Sequence, residues 1–259
     1  MAGPVLVFDS GAGGLSVVAA LREQLPEAAL AYCCDNAMLP YGIRTDEWLV
    51  ERIIAVCTAA VAETRADTLV VACNTASTLA LDELRARLEI PVVGTVPAIK
   101  PAAHASRSGH IALLATSATV ARPYTQQLID SYAPDCRVMR LAADTLVRQA
   151  ECWIAGEALD EQVLREALAP LAEDPRIDTV VLGCTHFPLL RDALAAAAPT
   201  DYLWIDSGQA IARRTAQVAR HPAPRTSRDQ AWVTALNDGL ARGLAEYGFA
   251  SPGLLRLVD

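Results

Sequence analysis

Hydrophobic and polar positions follow one another in a regular succession. A short, wholly apolar run rich in branched residues leads to a polar or glycine-rich turn, then to a longer stretch with apolar residues at helical spacing. Val5–Phe8 is followed by Asp9-Ser10-Gly11-Ala12-Gly13-Gly14, and a helix is expected from about Leu15 to Leu25. Ala29–Cys33 reads as a strand, Thr45 as the N-cap of a helix reaching about Thr64, Thr68–Ala72 as a buried strand, Ala76–Leu88 as a helix and Pro91–Thr95 as a strand. The succession restarts after Gly109, with strands at His110–Ala115, Arg137–Leu141, Thr179–Leu182 and Tyr202–Ile205. Helices are expected from about Tyr124, over Asp144–Ala155 and Asp160–Leu171, and after Gly183-Cys184-Thr185-His186, where Pro188 suits a first helical turn. A strand near Trp232, a helix and a strand near Leu254 complete the series. Arg220–Arg228, with two prolines, is the candidate linker.

Apolar strands that alternate with helices predict an α/β fold with mostly parallel sheets flanked by helices. The restart predicts two similar lobes with the active site in the cleft between them. Composition narrows the classes further. With 53% hydrophobic residues in 259, disorder is excluded. The net charge of −8 argues against nucleic acid or an anionic membrane as partner. No apolar run reaches the roughly 18 residues that span a bilayer, and no leader pattern opens the chain, so the expected location is cytoplasmic, with reduced thiols. Lys100 is the only lysine, which argues against a pyridoxal-phosphate Schiff base. Seven cysteines, an odd number with no Cys-x-x-Cys pair, argue against a disulfide framework or a structural zinc site; no metal is expected.

Two segments share one design. Leu69-Val70-Val71-Ala72-Cys73-Asn74-Thr75 and Val180-Val181-Leu182-Gly183-Cys184-Thr185-His186 each run from an apolar strand through a small residue to a cysteine, then to hydrogen-bonding residues before a helix. Parallel α/β sheets bind ligands beyond the carboxyl ends of their strands, and a helix N-terminus favours a thiolate there. His186 could hold or exchange a proton with Cys184. Cys33, Cys57, Cys136 and Cys152 read as packing residues. The glycines after Asp9 do not match the dinucleotide fingerprint, and Asp9 reads either as an N-cap or as a carboxylate beside Cys73. Thr116 and Thr119 stand at a strand-to-helix turn suited to a carboxylate, and ordinary capping explains them as well. Glu151 lies on a helix that a solvated face would also explain. His104, His110 and His221 read as surface or loop residues.

Five motifs in order, Asp9-Ser10-Gly11-x-Gly13-Gly14, Pro40-Tyr41-Gly42-x-Arg44, Cys73-Asn74-Thr75-Ala76-Ser77, Val96-Pro97-Ala98-Ile99-Lys100-Pro101 and Gly183-Cys184-Thr185-His186-Phe187-Pro188, carry a resemblance. The chain resembles the glutamate racemases of the cofactor-independent aspartate/glutamate racemase superfamily. The resemblance implies lobes formed by residues 1–96 with 208–259 and by residues 97–207. It implies interconversion of L- and D-glutamate without a cofactor, for peptidoglycan synthesis, by a homodimer. Cys73 and Cys184 would be the acid/base thiols, with Asp9 beside Cys73, His186 beside Cys184, and Glu151 as a further acidic residue near the second thiol. Asp9, Ser10, Tyr41, Gly42, Asn74, Thr75, Thr116, Thr119, Thr185 and His186 would bind the substrate. Related readings are a racemase for aspartate or a hydantoin, a one-thiol decarboxylase, and a non-catalytic two-lobe binding protein.

Overall fold

The computed structural model describes residues 2–257; the outer ends of the first lobe expected from sequence, Met1 and Val258-Asp259, lie outside them. The chain runs β1 (Val5–Asp9), α1 (Leu15–Gln24), β2 (Leu30–Cys34), α2 (Asp46–Thr64), β3 (Thr68–Val71), α3 (Asn74–Arg87) and β4 (Val92–Val93). It continues through α4 (Ile99–Ala105), β5 (His110–Ala115), α5 (Ser117–Ala121), α6 (Pro123–Tyr132), β6 (Arg137–Ala142), α7 (Thr145–Ile154), α8 (Glu161–Leu168) and β7 (Thr179–Leu182). The last elements are α9 (Arg191–Ala197), β8 (Leu203–Ile205), α10 (Gly208–Val218), β9 (Gln230–Val233), α11 (Asp238–Glu246) and β10 (Gly253–Leu254).

Two parallel sheets form. The first has the order β10-β9-β2-β1-β3-β4, the second β6-β5-β7-β8. The segment β2-β1-β3-β4 of the first sheet therefore has the same connectivity as the whole of the second. In each, the chain moves to one side after its first strand and returns to the other side for its third. That reversal opens a crevice at the carboxyl ends of β1 and β3 in one lobe and of β5 and β7 in the other.

Each sheet is covered on both faces. Because side chains alternate along a strand, Val5 and Val7 join a core with Leu15 and Val18 of α1 and Ile211 of α10, while Leu6 and Phe8 join one with Ile53 of α2 and Ala80 of α3. In the second lobe Ala112 and Leu114 pack with Leu146 of α7, and Ile111 and Leu113 with Ile99 of α4. This two-sided burial explains why the strands read as continuous apolar runs rather than alternating ones.

Two expectations need correction. Arg220–Arg228 is not a linker. The Arg220 and His221 N–H groups donate to the Asp67 carboxylate, and the segment forms bridges to Gly3 and Ala28, so it is stapled along the first sheet. Its prolines fit there because they have no N–H to leave unpaired. His110 begins β5 as expected, but it is not a partnerless surface residue: its Nδ1 lies 2.7 Å from the Asp174 carboxylate. Cys33 and Cys57 are buried as packing residues, whereas Cys136 and Cys152 are only half-buried.

Candidate active site

β1 ends at Asp9, and the Ser10–Gly14 turn opens α1. β3 ends at Val71, and Cys73 occupies the N-cap of α3 with Asn74 and Thr75 in its first turn. From the second lobe, β5 leads to Thr116, the N-cap of α5, and β7 leads to Cys184. Both thiols line one cavity of about 560 Å³, with Ser10, Tyr41, Gly42, Asn74, Thr75, Thr116, Thr119, Glu151, Thr185 and His186. The equivalent third strands of the two sheets thus each deliver a cysteine to the same space.

The surroundings of the two thiols differ. Cys73 Sγ lies 3.6 Å from Ser10 Oγ. Burial, followed by the nearby Asp9 carboxylate, pushes the Cys73 thiol up to about 12. Cys184 Sγ lies 3.7 Å from His186 Nδ1, and His186 Nε2 lies 2.6 Å from Glu151 Oε1. Burial by itself would depress the imidazole, but its bonds to Cys184 and Glu151 carry it well above its ordinary value. Glu151 is likewise opposed by burial and held below its ordinary value by His186 and by the Ala12 N–H, which donates to it at 2.7 Å. The result is a line of Glu151 carboxylate, His186 cation and Cys184 sulfur, anchored to the first lobe through Ala12.

This arrangement corrects the picture of two identical devices. The segment after Cys184 is not an α-helix but a short 3₁₀ turn, Phe187–Leu190, and α9 begins only at Arg191. Pro188 lies at the start of that turn, one full element before the helix. Cys184 therefore relies on a side-chain cation where Cys73 has the first turn of α3.

Asp9 is fully buried behind the cavity wall rather than on it. It is not an N-cap, since that position of α1 is Gly14. Its carboxylate accepts from the Gly11 N–H and from Thr185 Oγ1 of the opposite lobe, both at 2.9 Å, and burial raises its pKa. The Thr116 hydroxyl accepts from the Thr119 N–H and lies 3.1 Å from the Thr119 hydroxyl, so capping and cavity lining coincide. The Tyr41 ring borders the cavity, but its hydroxyl turns away and donates to Asp35, which also accepts two bonds from Arg52 and one from Thr234.

Sequence reading missed Asp35 and Arg52 as supports of the Tyr41 wall, as well as Asp144, Val147 and Arg148, which line the cavity. The last three had a usable signal. With Glu151 they recur at positions 144, 147, 148 and 151, one face of α7 and its cap. Among the described residues no group of three or more His, Cys, Asp or Glu side chains is arranged to hold a metal ion.

Fold and site together define a two-lobed, parallel-sheet α/β enzyme with one thiol from each lobe on a shared cavity. Known proteins give this class a family. The sequence profile of the Asp/Glu/Hydantoin racemase family matches residues 15–215. The chain is 46% identical over 259 residues to the glutamate racemase of Shewanella loihica, covering 99% of this chain and 97% of that one. Its structure superposes with a TM-score of 0.95, at 41% identity and over all of both chains, on Escherichia coli glutamate racemase in complex with L-glutamate and the activator UDP-MurNAc-ala. Thermus thermophilus glutamate racemase, in complex with β-chloro-D-alanine, follows at a TM-score of 0.75 and 29% identity, covering 99% of this chain and 97% of that one. The chain belongs to the Asp/Glu/hydantoin racemase family and is an isomerase of amino acids. Among the described residues no helix is long and apolar enough to cross a membrane.

Proposed function

We propose that the chain interconverts L- and D-glutamate with Cys73 and Cys184 as its two acid/base groups, supplying D-glutamate for peptidoglycan. The observation that carries the proposal is the delivery of one thiol from the third strand of each sheet to a single cavity. Enantiomers present the α-hydrogen on opposite faces of the carbon. Inversion therefore needs a base on one face and an acid on the other, and the roles exchange when the direction reverses. For the enantiomer whose α-hydrogen faces Cys184, that thiol abstracts and Cys73 donates, and for the other enantiomer the two exchange.

Between the two steps the carbon carries negative charge, which spreads into the substrate carboxylate. The first-turn N–H groups of α3 and the hydroxyl of Thr75 are placed to stabilise it, while Thr185, whose hydroxyl donates to Asp9, lines the cavity beside them. Asn74, Ser10 and the Tyr41-Gly42 backbone complete the binding set, and Thr116 with Thr119 faces them from the second lobe. The reading assigns the reaction no cofactor. It takes the lobes as residues 1–96 with 208–259 and 97–207, and places the enzyme in the cytoplasm as a homodimer with neither nucleic acid nor membrane as partner.

The test is circular dichroism of purified protein with each enantiomer of glutamate, and with aspartate and hydantoins for comparison. Cys73→Ser and Cys184→Ser should each lower racemisation of glutamate by about 10²–10⁴-fold, the usual share of one acid/base group, with the fold intact. Full activity in either variant would overturn the two-thiol reading. Turnover of aspartate or a hydantoin in place of glutamate would overturn the substrate.

A further inference from the structure

We propose that Arg148 is the electrostatic capture point through which a dicarboxylic amino acid enters the cavity. This deepens the reading above and rests on it. The chain carries a net charge of −8, so an anionic substrate approaches against the overall field of the protein. The charged residues that line the cavity are Asp144, Glu151, His186 and Arg148. His186 is buried and committed to Glu151 and Cys184. Asp144 is committed too, since its carboxylate accepts from the Ser117 N–H and hydroxyl.

Arg148 differs from all three. Its side chain is exposed, and among the described residues it makes no ion pair or side-chain hydrogen bond. It stands on α7 three residues before Glu151, on the same helix face, and the two line the same cavity as His186 and Cys184. A guanidinium matches a carboxylate with two parallel bonds and stays charged at every working pH. The cavity of about 560 Å³ lies within the size range of small-molecule sites, and it has room for an amino acid to be met at Arg148 and then passed to the thiols. Arg148 is thus a positioning residue for encounter, without contact to the reacting carbon.

Capture by charge has a signature that contact in the reacting complex lacks: it acts on kcat/KM, and salt abolishes it. The experiment measures glutamate racemisation by wild type, Arg148→Gln and Arg148→Lys at about 0.01 M and about 1 M ionic strength, where the Debye length falls from about 30 Å to about 3 Å. At low salt Arg148→Gln should lose about tenfold in kcat/KM with kcat changed less than twofold, and Arg148→Lys should keep most of the wild-type value. At high salt the three proteins should converge. A glutamine variant equal to wild type at low salt, a loss that persists at high salt, or an equal fall in kcat would each overturn capture while leaving the glutamate reading in place. A wild type that racemises no dicarboxylic amino acid would overturn both.

Discussion

Glutamine at position 151 isolates the charge of the one carboxylate that joins the two lobes at the second thiol. In the wild type Glu151 Oε1 accepts from His186 Nε2 at 2.6 Å and from the Ala12 N–H at 2.7 Å. Glu151→Gln retains an acceptor oxygen of nearly the same shape, so the bond from Ala12 can persist. The bond to His186 changes from charge-assisted to neutral. A bond to a charged group contributes about 1.5–3 kcal/mol and a neutral one about 1 kcal/mol, which makes the loss about 0.5–2 kcal/mol. Taken in the transition state, where the His186 cation faces the Cys184 sulfur, this is about a 2- to 30-fold fall in kcat/KM.

Enantiomers have equal free energy, so kcat/KM must fall by the same factor from L- and from D-glutamate, and circular dichroism in both directions checks this. Stability gives a second reading with a definite sign. The raised His186 pKa contributes stability that is complete below its ordinary 6.5 and is lost as pH rises through the folded value. The lowered Glu151 pKa contributes stability that is complete above its ordinary 4.5 and is lost as pH falls through the folded value. The difference in Tm between wild type and Glu151→Gln should therefore be greatest between pH 4.5 and 6.5. A variant with wild-type kcat/KM, or a Tm difference that grows steadily above that range, would refute the assigned role of Glu151.

Three further outcomes follow from the same geometry. Arg52→Ala leaves the fully buried Asp35 without its two guanidinium bonds, and urea denaturation should show a loss of about 3 kcal/mol, with KM raised because Asp35 holds the Tyr41 hydroxyl. Gly243→Ala on α11 would place a methyl about 2.5 Å from the Ile154 carbonyl oxygen on α7. The shift of α7, which carries Glu151, should cost about 1–3 kcal/mol by denaturation and lower kcat/KM as well. Asp178 accepts from Ser106 Oγ, Thr179 Oγ1 and the N–H groups of Arg107 and Ser108, which hold its pKa below the ordinary 3.8 although burial opposes them. Asp178→Asn should lose roughly 1 kcal/mol at neutral pH, discounted for solvent screening, and thermal melts should show the gap narrowing as pH falls below 3.8.

Much of the fold was legible in the chain, and so were the residues around the cavity. His110–Ala115 and Thr179–Leu182 are strands with the expected bounds, and Thr45 caps α2 by accepting from the Trp48 N–H. Each of these features is set by neighbours within a few positions. Arg220–Arg228 was misread because its prolines signal a break, whereas a carboxylate more than 150 residues away takes up its N–H groups. The strand position of His110 was legible, but its partner Asp174 was not, because nothing near it in sequence announces that carboxylate.

The amino-acid sequence by itself determined the alternation of strands and helices, the parallel character of the sheets and the two strand-to-cysteine turns, because periodicity and turn chemistry are local. Tertiary structure decided which strands became neighbours, and hence that the reversals at β1/β3 and β5/β7 face one cavity. It also decided that Asp9 bonds Thr185 from behind the wall, that the Tyr41 hydroxyl faces Asp35, and that Cys184 has a cation in place of a helix. These outcomes depend on contacts between residues as many as 176 positions apart and on how fully each group is removed from water. No local pattern encodes either one. The charge states of the Glu151, His186 and Cys73 groups therefore follow from their positions in the folded molecule, where burial and partners set the cost of each proton.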